Sequence, residues 1–216
     1  MPVKLSSTGG GSVTLTTPST ATDYTATFPA NTGNVVTDSA TQTLTNKTLT
    51  SPVITGASVS SMASSVITSG TSQASTSGTS IDFTGIPSWV KRITVMFNGV
   101  STNGTSPVIV QLGTGATPTY TTSGYQSFVL YNGGTTNITN GLTTIGIGAS
   151  DTRWGSMILS TSGSNSWTEI VGNAVGTNGG AGGGGITLGA ALTAIRITTS
   201  NGTDAFDAGS INILYE

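Results

Sequence analysis

The sequence predicts an all-β protein. Serine, threonine and glycine account for 103 of the 216 residues, whereas only six residues are basic and eight are acidic. Threonine with valine, isoleucine and aromatic residues favours strands, and glycine, asparagine and serine favour the turns between them. Helical patterns are scarce, since no glutamate precedes Glu169 and no long segment repeats apolar residues at three- and four-residue intervals. A mean hydropathy of +0.13 also differs from the low hydropathy of disordered chains.

Residues 1–40 contain two short alternating segments, GSVTL at 11–15 and DYTATF at 23–28. The alternation predicts a hairpin-like pair of strands, with the apolar side chains of each strand on one face. The pair has too little apolar surface to be stable alone. We therefore expect further copies of the chain to complete residues 1–40.

Residues 41–80 are rich in serine and threonine, and their apolar residues are scattered along polar chain. One chain cannot bury so few apolar side chains by itself. Several copies side by side would share them along a common axis and pair their open strand edges. The segment thus predicts an intertwined β stalk, and a narrow β shaft favours three chains. The candidate stalk core residues are Leu44, Leu49, Val53 and Ile54.

Residues 81–216 supply enough apolar residues for a core. Short alternating segments bounded by Gly, Asn, Ser or Pro predict strands at 92–97, 108–112, 125–131, 143–147, 156–160, 167–173, 194–199 and 211–215. Strands at this spacing predict an antiparallel sandwich of jelly-roll type. The predicted inward-facing sets are Ile93, Val95 and Phe97 in one strand, and Ile211, Ile213 and Tyr215 in another.

The glycine-rich segment GTNGGAGGGG at 176–185 has the composition of a phosphate-binding loop but not its pattern. Such a loop needs Lys followed by Ser or Thr after the glycines, and here Ile186 and Thr187 follow. The segment instead predicts a flexible loop at the tip of two strands.

The composition argues against an enzyme and against resident cofactors or metals. Without histidine or cysteine, Ser-His-Asp and Cys-His sites and the usual zinc sites are excluded. Asp204 and Asp207 are close enough in sequence for a carboxylate pair of the kind that cleaves glycans. The alternative is that each aspartate caps backbone N–H groups in a turn.

Aromatic residues are the best candidates for binding. Trp and Tyr provide large, rigid and amphipathic contact surfaces. Tyr120 lies in the predicted loop PTYTTSGY, and Trp154 lies at a predicted loop-to-strand junction in SDTRWGS. Both are candidate receptor-binding residues, with structural packing as the alternative for each. Trp89, just before a predicted strand, is expected to pack in the core or between chains.

Charge and hydropathy also limit the partners and the location. A net charge of −2 gives no basic surface for nucleic acid. No apolar segment is long enough to span a membrane, so membrane insertion is not expected. The first residues, MPVKLSSTGGG, lack the apolar stretch of a signal peptide, so Sec export is not expected.

Several segments resemble virion fibre proteins of tailed bacteriophages. TQTLTNKTLTSPVI at 41–54 is similar to a linker in tail-fibre proteins, and residues 11–36 resemble the strand repeats that often precede it. SGTSIDFTGIPSWVKRITVMFNGVSTNGTSP at 77–107 and DAGSINILYE at 207–216 resemble the terminal β-domain of many phage fibres.

The resemblance implies a homotrimer made in the cytoplasm of a bacterial host and located in the virion. It implies an N-terminus docked on tail or capsid proteins, a trimeric middle, and an outward-facing C-terminal domain that binds a host surface glycan. The chain is shorter than long receptor-binding fibres, which leaves open a fibre that decorates the capsid. A glycan-cleaving spike is the third alternative.

Overall fold

The structure is a computed structural model that describes residues 3–6, 8–15, 48, 50, 67–132, 134–146, 148–149 and 151–216. Every regular element among these residues is a β-strand, and all pairs are antiparallel, so the predicted all-β class is confirmed. The chain divides into two compact units, Met1–Ala57 and Ser58–Glu216. Within the described residues, no helix is both long and apolar enough to cross a membrane.

The first unit contains an antiparallel hairpin of β1 (Val3–Ser6) and β2 (Ser12–Leu15). The strand predicted at 11–15 is therefore confirmed. Its predicted neighbour at 23–28 lies outside the described residues. The candidate stalk core also lies outside them, namely Leu44, Leu49, Val53 and Ile54.

The described residues of the second unit form fourteen short to medium strands. They are β3 (Thr68–Ser69), β4 (Gln73–Ala74), β5 (Ser80–Thr84), β6 (Arg92–Thr102), β7 (Val108–Thr114), β8 (Thr119–Tyr120), β9 (Gln126–Tyr131), β10 (Gly134–Ile138), β11 (Leu142–Thr143), β12 (Arg153–Gly163), β13 (Ser166–Val175), β14 (Asn178–Thr187), β15 (Leu192–Thr199) and β16 (Phe206–Tyr215).

These strands form two sheets. The nine-stranded sheet has the order β10-β9-β14-β13-β12-β6-β16-β3, with β4 also beside β16. The five-stranded sheet has the order β11-β7-β15-β5, with β8 beside β7. β3 and β4 fall within the range predicted for the stalk, and both pair with β16 of the sandwich.

One hydrophobic core lies between the two sheets, which confirms the predicted antiparallel sandwich. From Arg92 to Phe97 in β6 every second residue points inward, so Ile93, Val95 and Phe97 are buried as predicted. Ile211 and Ile213 are also buried, whereas Tyr215 is half-buried at the edge of the core. The five-stranded sheet contributes Ile81, Phe83, Val108, Val110, Leu112, Leu142, Ile195 and Ile197.

The strand predictions hold wherever apolar residues alternate. All the predicted core strands are present, except that only Leu142–Thr143 is a strand near the segment predicted at 143–147. The strands at β5, β8 and β10 were not predicted. β8 and β10 are short or rich in threonine and glycine, and tertiary pairing rather than local pattern places them in sheets. In β5, Ile81 and Phe83 do alternate with polar residues, so its pattern was present in the sequence but was not identified as a strand.

The prediction of a flexible loop at 176–185 is wrong, because β14 covers most of that segment and lies between β9 and β13. Pairing on both sides satisfies its backbone groups and outweighs the poor strand propensity of glycine. Close packing also requires several of these glycines. A Cβ on Gly182 would overlap the carbonyl oxygen of Phe128, and one on Gly180 would overlap the side chain of Ile145.

Candidate functional site

The glycine-rich strand β14 forms the floor of a groove of about 920 Å³ in the nine-stranded sheet. Register places Phe128 of β9 beside Gly183 of β14, and Gly183 beside Ile170 of β13. Because Gly183 and Gly185 have no side chains, the side chains of the flanking strands stand above them. The lining residues come from β9, the end of β10, the start of β13 and the end of β14.

No charged side chain lines the groove. Gln126 and Asn137 contribute exposed amides, and Phe128 contributes a partly exposed aromatic ring. The hydroxyl oxygens of Ser166 and Thr187 lie 2.8 Å apart at one end. Amides, hydroxyls and an aromatic face together suit an uncharged ligand that carries many hydroxyl groups.

A buried carboxyl group lies beside the groove floor. Glu169 reaches past Gly184, and its Oε2 accepts a hydrogen bond of 2.7 Å from the hydroxyl of Ser127. The same Ser127 oxygen accepts a hydrogen bond of 2.8 Å from the backbone N–H of Thr143. Burial raises the pKa of Glu169 to about 8, and the hydrogen bond from Ser127 lowers it only partly. Glu169 is therefore mostly protonated at neutral pH and adds little charge near the groove.

Tyr120, one candidate receptor-binding residue, is engaged within the protein. Its ring packs against the guanidinium of Arg196, with 4.1 Å from Cζ to the ring centroid. Arg196 in turn makes a two-pronged ion pair with Asp82, at 2.8 and 2.7 Å. Burial and the negative charge of Asp82 raise the pKa of Tyr120 to about 12. Arg196 therefore covers one face of the ring, and Tyr120 is half-buried.

Trp154, the other candidate, is the second residue of β12 and is 54 % exposed. Its indole lies over Gly99, where a Cβ would come within 3.2 Å of the ring. Trp154 belongs to the nine-stranded sheet and Tyr120 to the five-stranded sheet, so the two candidates do not form one site. Neither residue lines the groove.

Trp89, expected to pack in the core or between chains, is 38 % exposed and lies against Tyr215, with ring centroids 6.0 Å apart. It therefore packs at the margin of the sandwich.

Asp204 and Asp207, the candidate carboxylate pair, are both used in local hydrogen bonds. Asp204 accepts hydrogen bonds from the side chain of Asn201 at 2.6 Å and the backbone N–H of Ser106 at 3.0 Å. These bonds hold its pKa below the usual range. Asp207 accepts a hydrogen bond from the hydroxyl of Ser101. The bonds of Asp204 fit a residue that stabilises a loop, because a general acid would need a raised pKa. Asp207 lies in β16 and links it to β6.

Nothing in the local sequence singles out the groove residues Gln126, Phe128 and Asn137. Their proximity depends on β14, which inserts between strands that are distant in sequence. One sign of the groove is Phe128, an apolar residue on the exposed side of a strand whose buried residues are Ser127 and Val129.

No cluster of three His, Cys, Asp or Glu residues that could hold a metal occurs among the described residues. Comparisons with protein-family models, curated proteins and solved structures give no match for this chain.

Proposed function

We propose that the chain is a structural virion protein of a tailed bacteriophage, a homotrimeric tail fibre that attaches to the host through its C-terminal sandwich. The resemblance of residues 41–54 and 77–107 to fibre segments supports this assignment. Docking on the virion is assigned to residues 1–40 and trimer formation to residues 41–80.

The observation that carries the proposal is the uncharged groove along β14. A bacterial surface glycan offers repeated hydroxyl groups and apolar sugar faces. The amides of Gln126 and Asn137 match the hydroxyls, and the ring of Phe128 matches a sugar face. Three copies of a weak groove on one fibre would bind a repeating glycan with avidity.

The alternative that the chain decorates the capsid shares the same sandwich and differs in location. Immunogold labelling of intact virions separates the two, since gold at the tail supports a tail fibre and gold over the head supports a capsid fibre. The third alternative, a glycan-cleaving spike, is less favoured because Asp204 and Asp207 are engaged in structural hydrogen bonds.

The groove is tested by binding of the full chain to purified capsular and O-antigen polysaccharides from bacteria that the phage adsorbs to. Gln126→Ala removes an exposed amide of the groove, and Thr84→Ala on the five-stranded sheet is the matched control. Loss of one hydrogen bond predicts about three- to tenfold weaker binding per groove. Equal binding by Gln126→Ala, Phe128→Ala and the wild type would contradict the groove as the glycan site.

A further inference from the structure

Five large apolar side chains lie exposed on the outer face of the nine-stranded sheet. Phe128 (36 % exposed) lines the groove, and we refer to the other four as the apolar patch. They are Leu130 (54 % exposed), Trp154 (54 %), Ile158 (36 %) and Ile170 (68 %). Register makes them neighbours, because Ile158 lies opposite Ile170 in the β12–β13 pair. None of the described residues covers them.

Small residues fill the centre of this face. Ala174 lies opposite Trp154, and Gly172 lies opposite Ala181, which in turn lies opposite Leu130. The small residues form a shallow depression, flanked on one side by Trp154 and on the other by Leu130.

No contact within the chain requires a glycine at two positions of this depression. A Cβ added to Gly172 or Gly179 would meet nothing within 4 Å, in contrast to Gly182 on the inner face of β14. A glycine inside a strand weakens it and often marks a place where another backbone approaches closely. Gly172 and Gly179 thus indicate an approach from outside the sandwich.

The outer face of the five-stranded sheet is different. It carries the Asp82–Arg196 ion pair with Tyr120 stacked on the arginine, and the exposed hydroxyls of Ser80 and Thr84. Charged and hydroxyl groups suit contact with water. The outer face of the nine-stranded sheet has an ion pair as well, between Arg92 and Glu216, but none of the four residues of the apolar patch is charged.

We propose that the apolar patch is a contact surface for a second copy of this chain. An uncharged apolar face fits a partner of the same character, and the patch itself supplies such a face on every copy. The inference rests on the proposed homo-oligomer and adds a contact between its C-terminal sandwiches.

The size of the patch decides between a second copy and a freely diffusing partner. The patch extends across four strands, which are about 4.8 Å apart, and along five residues of β12, at about 3.3 Å per residue. Its footprint is therefore about 300 Å². Stable complexes between free proteins bury about 800 Å² on each partner, so the patch is too small to hold one. Copies that are already tethered through other segments meet at an effective concentration in the millimolar range. At that concentration a contact of this size is enough to hold two sandwiches together.

The chain has no cysteine, which permits a direct test in the full-length protein. Ile170→Cys and Leu130→Cys each place one thiol in the patch, and Thr84→Cys places one on the other sheet as the control. The measurements are the rate of reaction with a maleimide under native conditions and the mass by sedimentation velocity. Circular dichroism checks that each variant is folded.

We expect an oligomer in which the thiols at 170 and 130 react at least about tenfold more slowly than the thiol at 84. An oligomer with equal reaction rates would overturn the contact surface and leave the homo-oligomer standing. Slow reaction in a monomer would mean that other residues of the same chain cover the patch, and would overturn the second copy as occupant. Equal rates in a monomer would overturn both proposals.

Discussion

Glu169 and Ser127 are hydrogen-bonded across the backbone of Gly184, with 2.7 Å between Oε2 and Oγ. The bond joins β13 to β9 over the strand between them. Ser127 also accepts the backbone N–H of Thr143 from the five-stranded sheet, so one buried chain of hydrogen bonds links both layers of the sandwich. The other carboxyl oxygen of Glu169 is buried without a hydrogen-bond partner among the described residues, so ionisation there is costly.

Glu169 should make the sandwich less stable as the pH rises. The pKa of this carboxyl is about 8 in the folded protein and near 4.5 when unfolded, so the folded state holds a proton that the unfolded state loses between these values. The free energy of unfolding therefore falls between about pH 4.5 and pH 8. Glu169→Gln should raise the melting temperature at pH 8 and change it little at pH 4.5. A melting temperature for the wild type that is flat over this range would contradict the shifted pKa.

The glycines of β14 should differ sharply in their tolerance of a side chain. Gly182→Ala places a Cβ against the carbonyl oxygen of Phe128 and the side chain of Val129, which must force β14 and β9 apart. We expect a loss of about 2–4 kcal/mol in the free energy of unfolding. Gly179→Ala in the same strand meets nothing within 4 Å in its own chain, so the stability of the single sandwich should be unchanged or higher by up to about 1 kcal/mol, whereas the added methyl group should weaken the proposed contact with a second copy. Denaturant titration measures both, and equal losses would contradict the packing at Gly182.

The contrast between β6 and β14 shows how far the sequence can predict this fold. Ile93, Val95 and Phe97 alternate with exposed or half-buried residues, so local periodicity was sufficient to identify their strand and its buried face. β14 has no such periodicity. It is a strand because β9 and β13 pair with it on either side, and neither partner can be identified from the glycines themselves.

The candidate site residues likewise divide into those that local sequence could place and those that depend on the order of the strands. Trp154 was predicted at a loop-to-strand junction, and it is the second residue of β12. The covering of Tyr120 by Arg196 was not predicted, because that contact depends on how β8 and β15 are placed against β7. The groove depends likewise on the order of strands in the sheet.

Tyr125 should be required for its hydroxyl as well as for its ring. The backbone N–H of Leu112 donates to the Tyr125 oxygen at 2.7 Å, and the tyrosine is buried. Tyr125→Phe would leave this N–H buried without an acceptor, which costs about 1–3 kcal/mol. Tyr131→Phe, at a half-buried tyrosine that ends β9, is the control and should cost less. Equal stability of Tyr125→Phe and the wild type in thermal unfolding would contradict the buried bond.

Asp204 should stabilise its loop only while it is ionised. Asn201 and Ser106 donate hydrogen bonds to the carboxylate and hold its pKa below the ordinary value of 3.8. Its contribution is therefore present above that pH and disappears as the pH falls through the lowered pKa of the folded state. Asp204→Asn should lower the melting temperature by about 2–4 °C at pH 7, and the difference from the wild type should shrink at pH 2.5. The same variant also tests the catalytic alternative in an assay of polysaccharide cleavage. If the wild type cleaves, and Asp204→Asn does not cleave but keeps the melting temperature of the wild type, the carboxylate is used for chemistry rather than for the loop.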